Sequence, residues 1–221
     1  MSYRERAIGP GVVLWENRPN AAGAATKILP DGCLDLIWDG VRLGVAGPDT
    51  RARHHAGGAA LVGLRFSHGL GPRVLGVAAD AVCDTSVTLD ALWTDRAARD
   101  LTERVAADPA RGLSVWASRA RPDPFEARVF AAVRAGSRVE GVAEALGVGV
   151  RALHRRCLPA FGYGPQHLGR ILRLQRALAL ARAGRGWAEV AADAGYADQP
   201  HLAREVRALT GTTPTGLLAV R

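Results

Sequence analysis

The chain has 221 residues, with 29 basic and 21 acidic side chains and a net charge of +8. This length fits one large or two small domains, and the lack of any apolar run of about 18 residues excludes a membrane-spanning helix. The three cysteines, Cys33, Cys83 and Cys157, are too few and too far apart for a disulfide framework or a Cys-x-x-Cys metal site. Because the N-terminus also lacks the apolar run of a signal peptide, we expect a reducing, cytoplasmic setting.

The N-terminal part of the chain shows the short patterns of β-strands. Extended runs occupy residues 12–15, 27–29, 34–38, 41–47 and 61–66. The turn-forming sequence Pro-Asp-Gly at residues 30–32 stands between two of these runs and predicts a hairpin. Strands at this spacing predict a small β-barrel or sandwich.

Helical patterns follow the strands at residues 72–78 and at about 91–107. Residues 107–124 then mix proline, glycine and polar residues, which is typical of a boundary between domains. We therefore predict a β-rich domain over residues 1–118 and a second domain over residues 123–221.

The second domain is predicted to be helical throughout. Asp123 followed by Pro124 predicts a capped helix start, and Ser137 with Glu140 has the spacing of a capping box. Further helices are predicted from about 150 to 161, from 165 to 183, from 187 to 194, from 198 to 209 and from Pro214 onward. The long helix from residue 165 joins two similar helix pairs.

These helix pairs repeat in sequence. VAEALG at residues 142–147 returns as VAADAG at 190–195, an offset of 48. Four residues then recur at an offset of 49: Leu153 and Leu202, Arg155 and Arg204, Gly162 and Gly211, Pro165 and Pro214. Each copy reads as a helix, a glycine at a positive φ angle, a short turn and a second helix, which is the pattern of a helix-turn-helix motif. One residue is added in the second turn.

The repeated half of the chain resembles the AraC/XylS family of bacterial transcription regulators. The residues that carry the resemblance are RLQRALALA (173–181), VAADAGYAD (190–198), LAREV (202–206) and GTTP (211–214). Residues 27–66 more loosely resemble a cupin-like N-terminal domain found on some of these regulators. The resemblance implies an α+β chain, in which a small β-barrel or sandwich domain precedes an all-α domain with two helix-turn-helix motifs joined by a long helix. Its implied function is sequence-specific binding of double-stranded DNA to regulate transcription.

Residues 123–221 hold 14 arginines against 8 acidic residues, a net charge of +6 that suits a polyanionic partner. Arginine reads guanine, and glutamine reads adenine, in the major groove. In the first recognition helix Arg151, His154 and Arg155 are candidates for base contacts; in the second we expect Gln199, Ala203 and Arg204 at the analogous positions, with His201 beside them. Arg156 and Arg207 are expected to touch phosphate or water. Pro159 lies late in the first recognition helix, where proline removes a hydrogen bond.

The role of the N-terminal domain stays open between sensing an effector and joining protomers into a homodimer. An apolar face suits a small organic effector as well as an ordinary core; its residues are Leu34, Leu36, Trp38, Leu64 and Phe66. RNA polymerase is an expected partner if the chain is an activator. No cofactor is expected.

Two alternatives are a metal-dependent cupin-like enzyme and a metal sensor fused to a DNA-binding module. Their candidate groups, whose spacing is not diagnostic, are Cys33, Asp35, His54, His55, Ser67, His68 and Cys83. The sequence has no nucleophile elbow, P-loop or dinucleotide-binding motif, so an enzyme is the less favoured class.

Overall fold

The computed structural model of the chain describes residues 2–18, 26–55, 58–117 and 121–219. Within these ranges the N-terminal part forms eight strands. They are β1 (Ser2–Gly9), β2 (Val12–Arg18), β3 (Thr26–Ile28), β4 (Leu34–Trp38), β5 (Leu43–Ala46), β6 (Arg53–His55), β7 (Leu61–Phe66) and β8 (Ser86–Thr88). The predicted strand at 61–66 is confirmed at both ends.

The strands form two sheets. The larger has the order β1-β2-β7-β4-β5-β8 with antiparallel neighbours, and β3 pairs with β6 in a separate two-stranded sheet. The hairpin predicted across residues 30–32 is therefore wrong, because β3 and β4 belong to different sheets. Gly32 does take a turn conformation, with φ 76°, but the turn carries the chain from one sheet to the other. The residues of a turn determine that the chain changes direction, but they do not determine which strand the next strand pairs with.

Three helices pack on the larger sheet: α1 (Leu70–Leu75), α2 (Asp95–Ala107) and α3 (Pro109–Ala117). Short 3-10 helices lie at Ala79–Ala81 and Leu89–Ala91. The alternating side chains of β4 that were expected to share an apolar face are all buried. They pack with residues of α2 and α3 in one core, which includes Leu101, Val105 and Leu113. The segment 107–124, which was expected to hold the domain boundary, contains α3, whose first turn is capped by Asp108 through the Arg111 N–H at 3.1 Å.

The C-terminal part contains seven helices within the described residues. They are α4 (Pro124–Arg134), α5 (Val139–Ala145), α6 (Val150–Phe161), α7 (Pro165–Arg182), α8 (Trp187–Ala194), α9 (Gln199–Thr210) and α10 (Pro214–Ala219). Asp123 caps α4 as predicted, accepting from the Phe125 N–H at 2.8 Å. The predicted capping box is wrong: Arg138 is the residue before α5, and no side chain caps that helix.

The two parts of the chain touch at several points. The turn after β3 reaches α7, where the Gln175 side-chain amide donates to the Pro30 carbonyl at 2.6 Å. The Ala52 N–H donates to the Leu209 carbonyl near the end of α9 at 2.7 Å. On the other side, the His68 ring stacks on Phe130 of α4 with the ring centroids 4.2 Å apart. The β-rich part therefore contacts both ends of the helical part.

An N-terminal sheet domain followed by a helical C-terminal domain confirms the predicted fold class. The boundary between 118 and 123 stays a prediction, and residues 118–120 lie outside the described ranges. Among the helices that the structure describes, none is long and apolar enough to cross a membrane.

Candidate nucleic-acid interface

Two helix pairs, α5–α6 and α8–α9, repeat in the C-terminal part, and α7 lies between them. Gly147 and Gly195 both take the left-handed conformation that the sequence predicted, with φ 65° and 85°. In each pair the next residue donates its N–H to the carbonyl five residues back; these bonds join Val148 to Ala143 at 3.0 Å and Tyr196 to Ala191 at 2.9 Å. The same backbone turn thus forms twice, which confirms the helix-turn-helix pattern.

The recognition helices are anchored by equivalent side chains. Leu153 of α6 and Leu202 of α9 are both fully buried, each in its own core cluster. Cys157 and Val206 follow them at the same offset and are also buried. With these residues directed inward, the opposite face of each recognition helix is left toward solvent.

In α6, Arg151, His154 and Arg155 are exposed on that outer face. The His154 ring lies against Gly164, where an added Cβ would come within 2.5 Å of ring atoms. The helix continues through Pro159 to Phe161. The predicted base-reading residues of the first motif therefore lie on one accessible helix, and Gly164 leaves room for the imidazole.

Arg156 is exposed, and its side chain packs against α4. Its guanidinium carbon lies 3.4 Å from the centre of the Phe125 ring, a cation–π contact to α4. This contact fixes the side chain beside the exposed face of α6. That placement is compatible with the phosphate contact that the sequence predicted.

In α9, Gln199, Arg204 and Arg207 are exposed. Since α6 begins at Val150 and α9 at Gln199, Arg151 aligns with Pro200. The expected correspondence between Arg151 and Gln199 is therefore wrong by one position. Gln199 is the first residue of its helix, where a side chain projects from the helix start.

His201 belongs partly to the turn before α9. Its Nδ1 accepts from the Ala197 N–H at 3.2 Å, and its ring packs edge-on against Tyr196 with the centroids 5.4 Å apart. Its backbone N–H donates to the Asp198 side chain at 2.6 Å, so Asp198 caps α9. These bonds give His201 a role in shaping the turn, in addition to the predicted contact with DNA.

A contact that sequence reasoning missed ties the second recognition helix to α7. The Arg170 Nε donates to Glu205 Oε2 at 2.8 Å, and Nη2 donates to Oε1 at 3.3 Å. Glu205 is the only acidic residue of α9, and at the repeat offset its counterpart in α6 is Arg156. An isolated acid on an otherwise basic helix is the sequence signal by which this pair could have been found.

Burial shifts the pKa of two ionisable groups that lie behind the recognition helices. It raises the pKa of the Tyr196 phenol to about 12 and lowers the pKa of His167 on α7. Both groups are therefore neutral at pH 7. The positive charge of the helical part at that pH comes from its arginines.

The residues predicted to hold an effector lie elsewhere, in the core of the β-rich part. All five are buried, with Leu36, Leu64 and Phe66 fully enclosed and Trp38 only 7% exposed. Leu34 belongs to the same cluster. Two surface cavities, of about 540 and 200 Å³, are lined by other residues.

The groups considered for a metal or an enzyme are dispersed. His54 and His55 lie on β6, and the Nε2 of His68 is 2.8 Å from the Asp31 carbonyl oxygen. Burial raises the pKa of Cys33 and Cys83, so both thiols are protonated at neutral pH. In the part of the chain that the structure describes, no three His, Cys, Asp or Glu side chains are grouped as metal ligands.

Comparison with known proteins places these features in context. A family model described as a helix-turn-helix domain matches residues 142–219. ToxT from Vibrio cholerae is similar over 99% of this chain and 98% of its own, with 10% identity and a TM-score of 0.52. ToxT of strain O395, solved with (E)-4-(8-methylnaphthalen-1-yl)but-3-enoic acid, is similar over 99% of both chains, with 10% identity and a TM-score of 0.50.

The C-terminal domain of AraT, a response regulator from Geobacillus stearothermophilus, is 23% identical over 46% of this chain and 88% of its own, with a TM-score of 0.42. None of the curated proteins compared with the sequence matches it. At these identities the similarity to ToxT is one of fold, and it extends over both parts of the chain.

Proposed function

We propose that the chain is a DNA-binding transcription regulator of the AraC/XylS type, and that α6 and α9 read two successive major grooves on one face of an operator. The observation that carries this proposal is the repeat of the exposed recognition helix on the two sides of α7. With 18 residues, α7 is about 27 Å long at ~1.5 Å per residue. Successive major grooves are about 34 Å apart, a distance of the same order as the length of α7.

The proposed base readers are Arg151, His154 and Arg155 for one groove and Gln199 and Arg204 for the other. All five are exposed. Arginine and glutamine make two-point hydrogen bonds to guanine and adenine respectively. Arg156, His201 and Arg207 border these residues, and we assign them backbone or turn-shaping roles.

Footprinting of the full chain on a selected operator tests this assignment. Two protected blocks about one helical turn apart are expected, and Arg151→Ala should weaken one block while Arg204→Ala weakens the other. Each loss should be roughly 1–3 kcal/mol and should relax base preference within that block. Arg96→Ala, an exposed arginine on α2, is the charge-matched control. Equal weakening of every sequence by both variants would show that these arginines hold phosphate and would refute the assignment.

Salt dependence tests the electrostatic part of the same proposal. Each phosphate contact releases counterions, so several contacts give a log–log slope of several units between affinity and salt. A complex whose affinity is unaffected by salt would contradict the role given to the arginines.

Control by a small organic effector is the finer part of the proposal. It is supported by the ToxT structure that holds an organic acid within the same two-domain fold. In this chain, a ligand beside Trp38 would have to displace packed side chains of the core. We therefore propose that the effector site lies outside the apolar face that contains Trp38. The helix-turn-helix domain supports a role in transcription regulation.

A further inference from the structure

A cavity of about 540 Å³ lies between the β-rich part and the C-terminal end of α9. One wall comes from β3, β6 and the residues before β6, and the other from the last turn of α9. The lining residues are Lys27, Arg51, Ala52, His54, Arg207, Ala208, Leu209, Thr210 and Gly211. The bond from the Ala52 N–H to the Leu209 carbonyl, 2.7 Å long, joins the two walls. The cavity therefore exists only while the two parts of the chain are in contact.

Positively charged side chains line the cavity. Lys27, Arg51 and Arg207 line it, and no acidic residue does. Within the described residues, none of the three forms an ion pair or a side-chain hydrogen bond, in contrast to Arg53, which is bonded to Asp49 at 2.9 Å nearby. Three like charges around one space repel one another. A bound anion would attract all three positive charges and so offset their mutual repulsion.

The partial negative charge at the C-terminus of α9 disfavours a bound anion only weakly. Helix C-termini carry about half a negative charge on their free carbonyls. Here the Leu209 carbonyl already accepts from Ala52, and the Arg207 carbonyl accepts from the Gly211 N–H at 2.8 Å. The three full positive charges outweigh the residual partial charge.

The volume of the cavity and the polarity of its walls limit the class of ligand that fits. The volume lies in the range of about 300–1,000 Å³ that is usual for small-molecule sites. The walls carry cationic and backbone groups and few large apolar side chains. A small ligand with two or more negative charges fits this lining better than a long apolar tail does.

We propose that this cavity binds a small multivalent anion, of the phosphate-ester or polycarboxylate class, between Lys27, Arg51 and Arg207. Such a ligand contacts both parts of the chain and so favours the arrangement in which they are joined. Arg207 then serves the ligand as well as the recognition helix. The proposal rests on the proposed effector control for its consequence on DNA, but the binding itself is independent of DNA.

Calorimetric titration of the full chain with inorganic pyrophosphate, at constant ionic strength, tests the site directly. One saturable site per chain is expected. Lys27→Gln and Arg51→Gln should each lower the affinity at least tenfold, and Arg96→Gln should leave it unchanged. Circular dichroism and melting curves verify that the variants fold. Absence of saturable binding, or an equal loss with Arg96→Gln, would overturn the proposal.

A second titration separates a free anion from the phosphates of DNA. The chain is first saturated with an operator duplex and then titrated with pyrophosphate. Retained binding supports a small-molecule site. Competitive loss of pyrophosphate binding would assign the cavity to the DNA backbone and overturn the small-anion proposal. If no duplex is bound at all, the proposed function fails while the first titration still decides the anion site.

Discussion

Breaking the Arg170–Glu205 pair should loosen the second recognition helix selectively. The two hydrogen bonds, 2.8 and 3.3 Å long, join α7 to α9, and the side chains are 32% and 20% exposed. A hydrogen bond to a charged group contributes about 1.5–3 kcal/mol when buried, and an exposed pair contributes about 0.2–1 kcal/mol. For this partly buried, two-point pair we expect a coupling energy of about 1 kcal/mol.

A double-mutant cycle measures that energy. Urea unfolding of the wild type, Arg170→Gln, Glu205→Gln and the double variant gives the coupling free energy. The matched control is the Arg185–Glu189 pair, an i,i+4 contact at 3.2 Å whose side chains are 47% and 64% exposed. Its coupling should be roughly 0.3–0.5 kcal/mol.

The DNA readout is more specific than the stability readout. Glu205→Gln should weaken the half of the footprint assigned to α9 and leave the half assigned to α6 unchanged. In the part of the chain that the structure describes, α6 has no equivalent ion pair, and Arg156 stacks on Phe125 instead. A coupling energy no larger than that of the control pair, or equal weakening of both halves, would refute the reasoning.

Three further substitutions test packing in both parts of the chain and electrostatics in the β-rich part. Gly47→Ala should destabilise the chain by roughly 3 kcal/mol, because a Cβ there would overlap the Val82 carbonyl; Gly141→Ala, in α5 with open space around it, should instead stabilise by about 0.5–1 kcal/mol. Thermal melts distinguish these signs, and a tolerated Gly47→Ala would contradict the close approach. Burial raises the pKa of Asp35 to about 6, although Arg65 opposes the shift. The native state thus holds a proton that the unfolded state releases, so this stability is present below about pH 4 and is lost as the pH rises through 6. Relative to Asp35→Asn, the wild type should lose about 1 kcal/mol between pH 5 and pH 7 in urea unfolding; a wild type that gains stability over that range would show that the ion pair with Arg65 dominates.

The helical part was largely predictable because its signals are local. Positive-φ glycines and inward leucines repeat at fixed offsets, and each acts within one or two helical turns. Residue-level placement was less certain, since an insertion in the second turn shifted the alignment of Arg151 and Gln199 by one. The capping box failed for a similar reason: the helix begins one residue later than the motif requires.

The β-rich part was less predictable because strand pairing joins distant residues. Alternation identified the buried face of β4, but nothing local indicated that β3 would pair with β6. β1 was missed since it is an edge strand, and residues 3–7 are all exposed, so no apolar alternation marks it. α3 was missed although Asp108 and Pro109 repeat the signal of Asp123 and Pro124.

The contacts of the β-rich part have a consequence for which operators the chain accepts. They reach α4, which precedes the first motif, through His68 and Phe130. They also reach α7 through Pro30 and the second motif through Ala52, so they bridge the same span as α7. Two recognition helices braced in this way keep one separation and one rotational phase. Adding a single base pair between the half-sites moves the second groove by about 3.4 Å and turns it by about 35° around the duplex axis. The intact chain should therefore discriminate sharply between operators of different spacing, and tolerance of spacing becomes a property of the β-rich domain, which reads no base.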